Sequence, residues 1–169
     1  YHCTNRCVRR AWLCGIDPDT KQNYEHRKTR VEARIQQLGA IFAVGIYGYA
    51  VMSNHLHVVL SVEASVAEKW SEEEVVERWL QLYPARTPEQ MNEKRVGLLG
   101  NPDAIVRCRN RLMDLSWFMR GLDEFVARQA NAEDGKTGRF WQGRFKCQSL
   151  TDERALAAAM AYVDLNPIR

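Results

Sequence analysis

SNHLHVVL, from Ser53 to Leu60, carries two of the chain's four histidines, His55 and His57, one residue apart. Val58, Val59 and Leu60 follow directly, and such a run predicts a β-strand. Side chains alternate along a strand, so His55 and His57 face one side while Leu56, Val58 and Leu60 face the other. Two imidazoles on one face can approach a single cation. A half-buried strand with two polar residues has the same pattern, and His-x-His alone does not separate the two readings. A second pair stands near the C-terminus. Tyr162 in AMAYVDLNPIR precedes Asn166 by four residues, which puts both on one helix face if the helix runs that far. Pro167 disfavours helical geometry at Asn166. Asn166 is therefore either a helix-end cap or a ligand whose amide oxygen completes a site with two imidazoles. Tyr162, set among Ala159, Ala161 and Val163, also fits a plain core or boundary position.

The basic residues form a third set. Arg6, Arg9 and Arg10 cluster near one end and Arg139, Arg144 and Lys146 near the other, with the acidic EKWSEEEVVE between them. Arginine favours bidentate contacts with phosphate. The net charge of +3 is mild and a solvated surface would look the same, so charge alone does not require a nucleic acid. His2 and His26 are set aside as ligands, and Trp117 and Met119 read as core. The five cysteines are odd in number and contain no C-x-x-C pair, which points to reduced, cytosolic thiols rather than a zinc ribbon or disulfide scaffold.

These groups need elements to hold them. The 169 residues, 46% hydrophobic and 27% charged, fit one globular domain with a real core. No apolar run approaches the roughly 18 residues of a membrane span, and no signal-peptide pattern opens the chain. The chain begins without an initiator Met on residues that already read as strand, and stops abruptly at LNPIR, so further segments are expected at both ends. YHCTNRCV predicts a strand, followed by a loop with turn chemistry at Asp17, Pro18 and Asp19. Val31, Ile35, Leu38 and Phe42 recur at helical spacing from about Thr29 to Phe42. VGIYGYAVM and HLHVVLSV, joined by Ser53 and Asn54, predict an antiparallel hairpin. A helical insertion is expected at about 63–108, with a capping box at Ser71 and a helix start at Asn101-Pro102. RLMDLSWFMRGLDEFVARQAN predicts one long amphipathic helix, GRFWQGRFKCQSL a short hairpin about Gly143, and TDERALAAAMAYVDL a helix capped by Thr151. The order gives an α+β sandwich, an antiparallel sheet with helices packed on it.

Taken together, YHCTNRCVRRAWLCG, MSNHLHVVL and AMAYVDLNPIR resemble the single-tyrosine HUH transposases, whose name denotes His-hydrophobic-His, here His55-Leu56-His57. GRFWQGRFKCQSL and DLSWFMRGL are similar to the branch associated with repetitive extragenic palindromes of bacterial chromosomes, the REP-associated tyrosine transposases. The resemblance spans nearly the whole chain. It implies a ferredoxin-like antiparallel β-sheet, the HUH nuclease fold, as a single domain over 1–169. It implies a divalent metal ion, Mg or Mn, held by His55, His57 and a polar residue on the tyrosine helix. That residue is often Gln in the family and is Asn166 here, one methylene shorter. Tyr162 becomes the catalytic nucleophile. The implied partner is a single-stranded DNA hairpin formed by such a palindrome, bound by a cytoplasmic, nucleoid-associated monomer with no membrane attachment. DNA contacts would fall to Arg6, Arg9, Arg10, Arg139, Arg144 and Lys146, with Trp141 or Phe140 stacking on an unpaired base. Core packing is the competing assignment for Trp141 and Phe145.

The implied chemistry is coherent. A phenol is a weak nucleophile at neutral pH, and a cation on the scissile phosphate polarises phosphorus and aligns it with the attacking oxygen. The products are a 5′-phosphotyrosine and a free 3′-hydroxyl, whose return attack rejoins strands without ATP, so transposition or repeat mobilisation is the expected role. Two imidazoles suit Mn better than oxygen-loving Mg. A non-catalytic hairpin-binding protein is the alternative. A metallohydrolase using water is a third reading, disfavoured because no further His or Asp cluster lies near SNHLHVVL.

Overall fold

The structure is a computed structural model in which residues 1–8 and 11–165 are described. Among these, the chain forms four strands and seven helices in the order β1 (His2–Arg6), α1 (Glu25–Ile41), β2 (Val44–Val51), β3 (His55–Val62), α2 (Ala64–Ala67), α3 (Glu72–Leu82), α4 (Pro88–Leu99), α5 (Pro102–Leu112), α6 (Leu115–Glu133), β4 (Lys146–Gln148) and α7 (Glu153–Leu165). The strands make one antiparallel sheet in the order β2-β3-β1-β4. The expected α+β class and antiparallel sheet are therefore present. No described helix is long and apolar enough to cross a membrane. The chain divides into two compact units, one of Tyr1–Gln36, Gly45–Ser61 and Leu122–Arg169, the other of Gln37–Val44 and Val62–Gly121.

The first unit holds the sheet. β2 and β3 turn on Ser53 and Asn54, as the sequence predicts, and Met52 N–H closes the turn on His55 O at 2.9 Å. Backbone donors following β1 lock that turn in place. Cys7 N–H donates to Asn54 O at 2.9 Å and Leu13 N–H to Ser53 O at 2.6 Å. The register of β1 on β3 opposes Thr4 to His57 and Arg6 to His55. Opposed residues share a face, so His2, Thr4 and Arg6 stand beside His55 and His57. The other face carries Cys3, Asn5, Leu56, Val58 and Leu60, all buried. Over the histidine face lies α7, whose Ala159 and Val163 pack on Ala50 and Val59, with Met52, Leu150, Leu156 and Met160 around them. Leu56, Val58, Val59 and Leu60 are all fully enclosed, the result expected of a strand covered on both sides.

Two expectations in this unit need correction. GRFWQGRFKCQSL does not fold back on itself as a hairpin. The open edge of β1 takes it instead, because an unpaired strand edge offers donors and acceptors that must be satisfied. Val8 N–H donates to Phe140 O and Gln142 N–H to Arg6 O, each at 2.9 Å. Trp141 bridges Cys7, and Lys146 to Gln148 pair with Thr4 to His2. The last helix begins at Glu153, with Asp152 rather than Thr151 as its cap: Asp152 Oδ1 accepts from Ala155 N–H at 2.8 Å.

The second unit is helical. α3 starts at the expected capping box, Ser71 and Glu74 bonding each other's backbone N–H groups, and Asn101 caps α5 before Pro102. Arg78 donates to the carbonyls of Ala40 and Ile41 at 2.6 and 3.1 Å, satisfying groups at the end of α1 that lack helical partners. The predicted long helix from Arg111 to Asn131 is interrupted. α5 ends at Leu112 and α6 begins at Leu115. Asp114 decides this, since its Oδ1 accepts from Ser116 and Trp117 N–H at 2.6 and 3.1 Å, and a local cap overrides apolar periodicity. α1 begins at Glu25, four residues before the predicted start, and Asn23 Oδ1 accepts from Glu25 N–H at 2.8 Å.

Candidate functional site

A cleft of about 490 Å³ opens on the histidine face, lined by Thr4, Asn5, Arg6, His55, His57, Gln142, Gly143, Arg144, Lys146 and Tyr162. The sheet register brings the first five together, the segment on the β1 edge adds four, and α7 adds Tyr162. Packing of Ala159 and Val163 on the sheet seats α7 so that the Tyr162 ring meets His57 edge-on, 5.4 Å between centroids. Tyr162 remains 48% exposed, so a substrate can reach it from solvent. The two histidine rings are 5.0 Å apart and nearly perpendicular.

Each imidazole has one nitrogen engaged. Asn54 Oδ1 accepts from His55 Nδ1 at 2.8 Å, so a neutral His55 carries its lone pair on Nε2. His57 Nδ1 lies 2.9 Å from His2 Nε2. His57 Nε2 is enclosed and has no hydrogen-bond partner among the described residues. Burial first, and then the neighbouring His55 and His2, push the His57 pKa down to about 4. His55 is lowered by burial and by Arg6 opposite it, and His2 chiefly by burial. Deprotonated imidazole is the metal-binding form. An orphaned, buried nitrogen beside a second free one fits a cation with imidazole preference. Among the described residues no group of three or more His, Cys, Asp or Glu side chains is gathered for a metal, so the donors these residues offer are the two imidazoles.

No protein-family model, curated protein or solved structure matches this chain. Of the sequence-predicted set, the cleft gathers His55, His57, Tyr162, Arg6, Arg144 and Lys146. Arg139 is exposed but does not line it. Arg9, Arg10 and Asn166 lie outside the described residues. Trp141 is only 8% exposed and its indole N–H donates to Asp123 O at 2.9 Å. Phe140 is buried against it, so core packing, not stacking on a base, describes both rings here. His26 pairs with Glu133 at 2.7 Å. Trp117 packs against Trp79, and Met119 is fully buried.

Thr4, Gln142 and His2 were not expected at the site. Alternation backward from Arg6 along β1 puts Thr4 and His2 on its face, a signal legible once β1 is paired with β3. Gln142 carries no such signal, since its place follows from the unpredicted docking of the segment on β1.

Beneath the cleft Asn5 turns away and donates to Asp123 Oδ2 at 2.8 Å, while Asp123 Oδ1 is enclosed without a partner among the described residues. Burial raises the Asp123 pKa to about 7, against the opposing effect of Asn5. A carboxyl raised on folding binds its proton more tightly in the native state, so its stabilising contribution is present below about pH 4 and lost as pH rises to about 7. At about 1.4 kcal/mol per pH unit the loss approaches 4 kcal/mol. Asp123→Asn should flatten the dependence of Tm on pH between 5 and 8 and raise Tm at pH 8 by about 5–10 °C. Thermal melts across that range decide it: an unchanged slope would mean that Asp123 is ionised in the folded protein throughout.

Proposed function

We propose that this chain is a metal-dependent, tyrosine-mediated enzyme that cuts and rejoins single-stranded DNA at hairpins, a member of the HUH type and its REP-associated branch. The observation that carries this reading is the meeting of Tyr162 of α7, half exposed, with His57 and His55 of β3 in one cleft, on two elements far apart in sequence. The fold supports it as well. The sheet order β2-β3-β1-β4, with α1 between β1 and β2 and α2 to α6 between β3 and β4, is compatible with the ferredoxin-like sheet of this reading.

His55 and His57 would hold a divalent cation, Mn in preference to Mg. Bound there, the cation supplies Lewis-acid polarisation of a phosphodiester and neutralises developing charge. The chain's residues do the rest. Arg6, Arg144 and Lys146 attract the backbone and fix its path through the cleft. Tyr162 Oη attacks phosphorus, its bond to phosphorus forms, and the bond to the 3′ oxygen breaks. The leaving strand keeps a 3′-hydroxyl and the other strand remains on Tyr162 as a 5′-phosphate ester. Return attack by a 3′-hydroxyl reverses the step and joins strands, the chemistry of transposition or repeat mobilisation. The half-exposed tyrosine, rather than a buried general base poised on water, favours strand transfer over hydrolysis. We take the active species to be a cytoplasmic monomer.

The test is incubation of the protein with labelled single-stranded hairpins in Mn or in EDTA, resolved on a denaturing gel. A Mn-dependent covalent band is expected. Tight hairpin binding without a band, across metals, would establish a non-catalytic reader instead.

The basic lining gives a separate prediction. Each phosphate contact on a single strand contributes about −0.7 to the slope of log affinity against log salt. Arg6→Ala and Lys146→Ala should each flatten that slope by about 0.7 and weaken binding similarly for unrelated hairpins. Filter binding between 50 and 200 mM salt, as in standard practice, measures it, and slopes identical to wild type would remove both residues from the interface.

A further inference from the structure

We propose that His2 is a positioning residue of this site: its Nε2 accepts a hydrogen bond from Nδ1–H of His57 and so keeps His57 Nε2 free of a proton as a cation ligand. The inference rests on the metal reading of His55 and His57 and assigns a role to a histidine that this reading does not use.

Three observations carry it. His2 Nε2 and His57 Nδ1 are 2.9 Å apart, a hydrogen-bond distance that admits one proton between two ring nitrogens. Two assignments exist. If His2 donates, His57 must carry its own proton on Nε2, where an enclosed N–H finds no acceptor among the described residues. If His57 donates, Nε2 holds a lone pair in the same enclosure, and a cation satisfies it. Buried N–H groups without partners are rarer than under-satisfied acceptors, so the second assignment is favoured even before a cation enters. Next, His57 is only 6% exposed, so water does not readily stand in for the missing partner. Last, His2 is not among the residues lining the cleft although His57 is. It meets His57 at Nδ1, leaving Nε2 to a cation, and its ring lies 6.2 Å from that of Tyr162. His2 is held there by the sheet, paired with Val59 on one side and Gln148 on the other, and its ring packs at 5.1 Å from that of His57. Histidine ligands are commonly oriented by an acceptor on their second nitrogen, and losing it costs about 10–100-fold in metal affinity.

The experiment compares wild type, His2→Ala, His2→Gln and His57→Ala in the full chain. Mn(II) alone is titrated by electron paramagnetic resonance, and electron spin echo modulation identifies the coordinated imidazoles. His2→Ala should weaken Mn binding about 10–100-fold. His2→Gln, whose amide oxygen also accepts from Nδ1–H, should restore it to within about threefold. Both variants should retain the two-imidazole signature of wild type. Nitrogen-15 histidine spectra of the cation-free protein should show His57 as the Nδ1–H form in wild type and shifted toward Nε2–H in His2→Ala.

Unchanged Mn affinity in His2→Ala, a glutamine variant as weak as alanine, or His57 in the Nε2–H form in wild type would each overturn the proposal. A third imidazole signal in wild type that disappears in both His2 variants would make His2 a ligand itself, which also overturns it. These outcomes leave the proposed function standing so long as His57→Ala abolishes Mn binding. Absence of Mn binding in wild type would remove both readings together.

Discussion

Replacing Tyr162 with Phe should abolish covalent capture of a single-stranded hairpin while leaving affinity for the hairpin within about twofold. The substitution removes one oxygen and keeps the ring. That ring packs edge-on against His57 at 5.4 Å, and α7 is anchored by Ala159 and Val163 rather than by Tyr162. Half of the tyrosine is exposed, so its hydroxyl is not buying stability from a buried hydrogen bond. Fold, cleft and basic lining should therefore survive. Cleavage should fall by on the order of 10³-fold or more, as expected when a nucleophile is deleted and only binding remains. The measurement is single-turnover cleavage beside equilibrium binding. Retained cutting would assign the nucleophile elsewhere, and lost binding would make Tyr162 a recognition residue.

His57→Phe should separate function from stability in the opposite sense to an ordinary core substitution. A planar aromatic ring is kept, one ring atom larger than imidazole, and that overpacking is set against the gain. The enclosed Nε2, which has no partner among the described residues, is eliminated, and an unpaired buried polar atom costs about 1–3 kcal/mol. Without metal the variant should melt at or above the wild-type temperature, even though His2 loses its contact. Addition of Mn should raise the melting temperature of wild type and not that of the variant. Cleavage should drop about 10²–10³-fold with loss of the charge-stabilising group. A satisfied structural histidine would behave otherwise: its replacement would lower Tm and leave the Mn effect unchanged.

The low pKa of His57, about 4, together with the lowered His55, extends this. Both imidazoles are neutral at pH 7, so proton competition for the cation sets in only on the acid side. The direction follows from burial, which disfavours the charged form.

Much of this architecture could be read from residue order. The alternation in HLHVVLSV places both histidines on one face, and β3 begins and ends as that pattern predicts. The Ser71 and Asn101 caps fixed two helix starts because their side chains bond specific N–H groups. Capping also explains the failures. Asp114 sits inside a run whose apolar spacing continues across it, and only its bonds to Ser116 and Trp117 show that the helix restarts there. The segment from Phe140 to Gln148 read as a local hairpin because Gly143 divides two similar halves. Its actual partner, β1, lies more than a hundred residues away, and no local pattern encodes a long-range edge. The same applies to Trp141, an aromatic among arginines that resembles a stacking platform until Asp123 is found accepting its indole N–H. His2 is set aside as a ligand in the sequence reading, where nothing local marks its neighbour. Its neighbour is His57, across the strand pair.

Peptide mapping identifies the side chain that forms the bond to DNA, for which we propose Tyr162. The protein is incubated with a labelled hairpin and Mn, the DNA is trimmed with nuclease, and tryptic peptides are sequenced by mass spectrometry. A 5′-linked nucleotide on Tyr162, absent when EDTA replaces Mn, is the predicted result. A nucleotide on Tyr47 or Tyr49 of β2, or uncut DNA bound without any modified tyrosine, would contradict it.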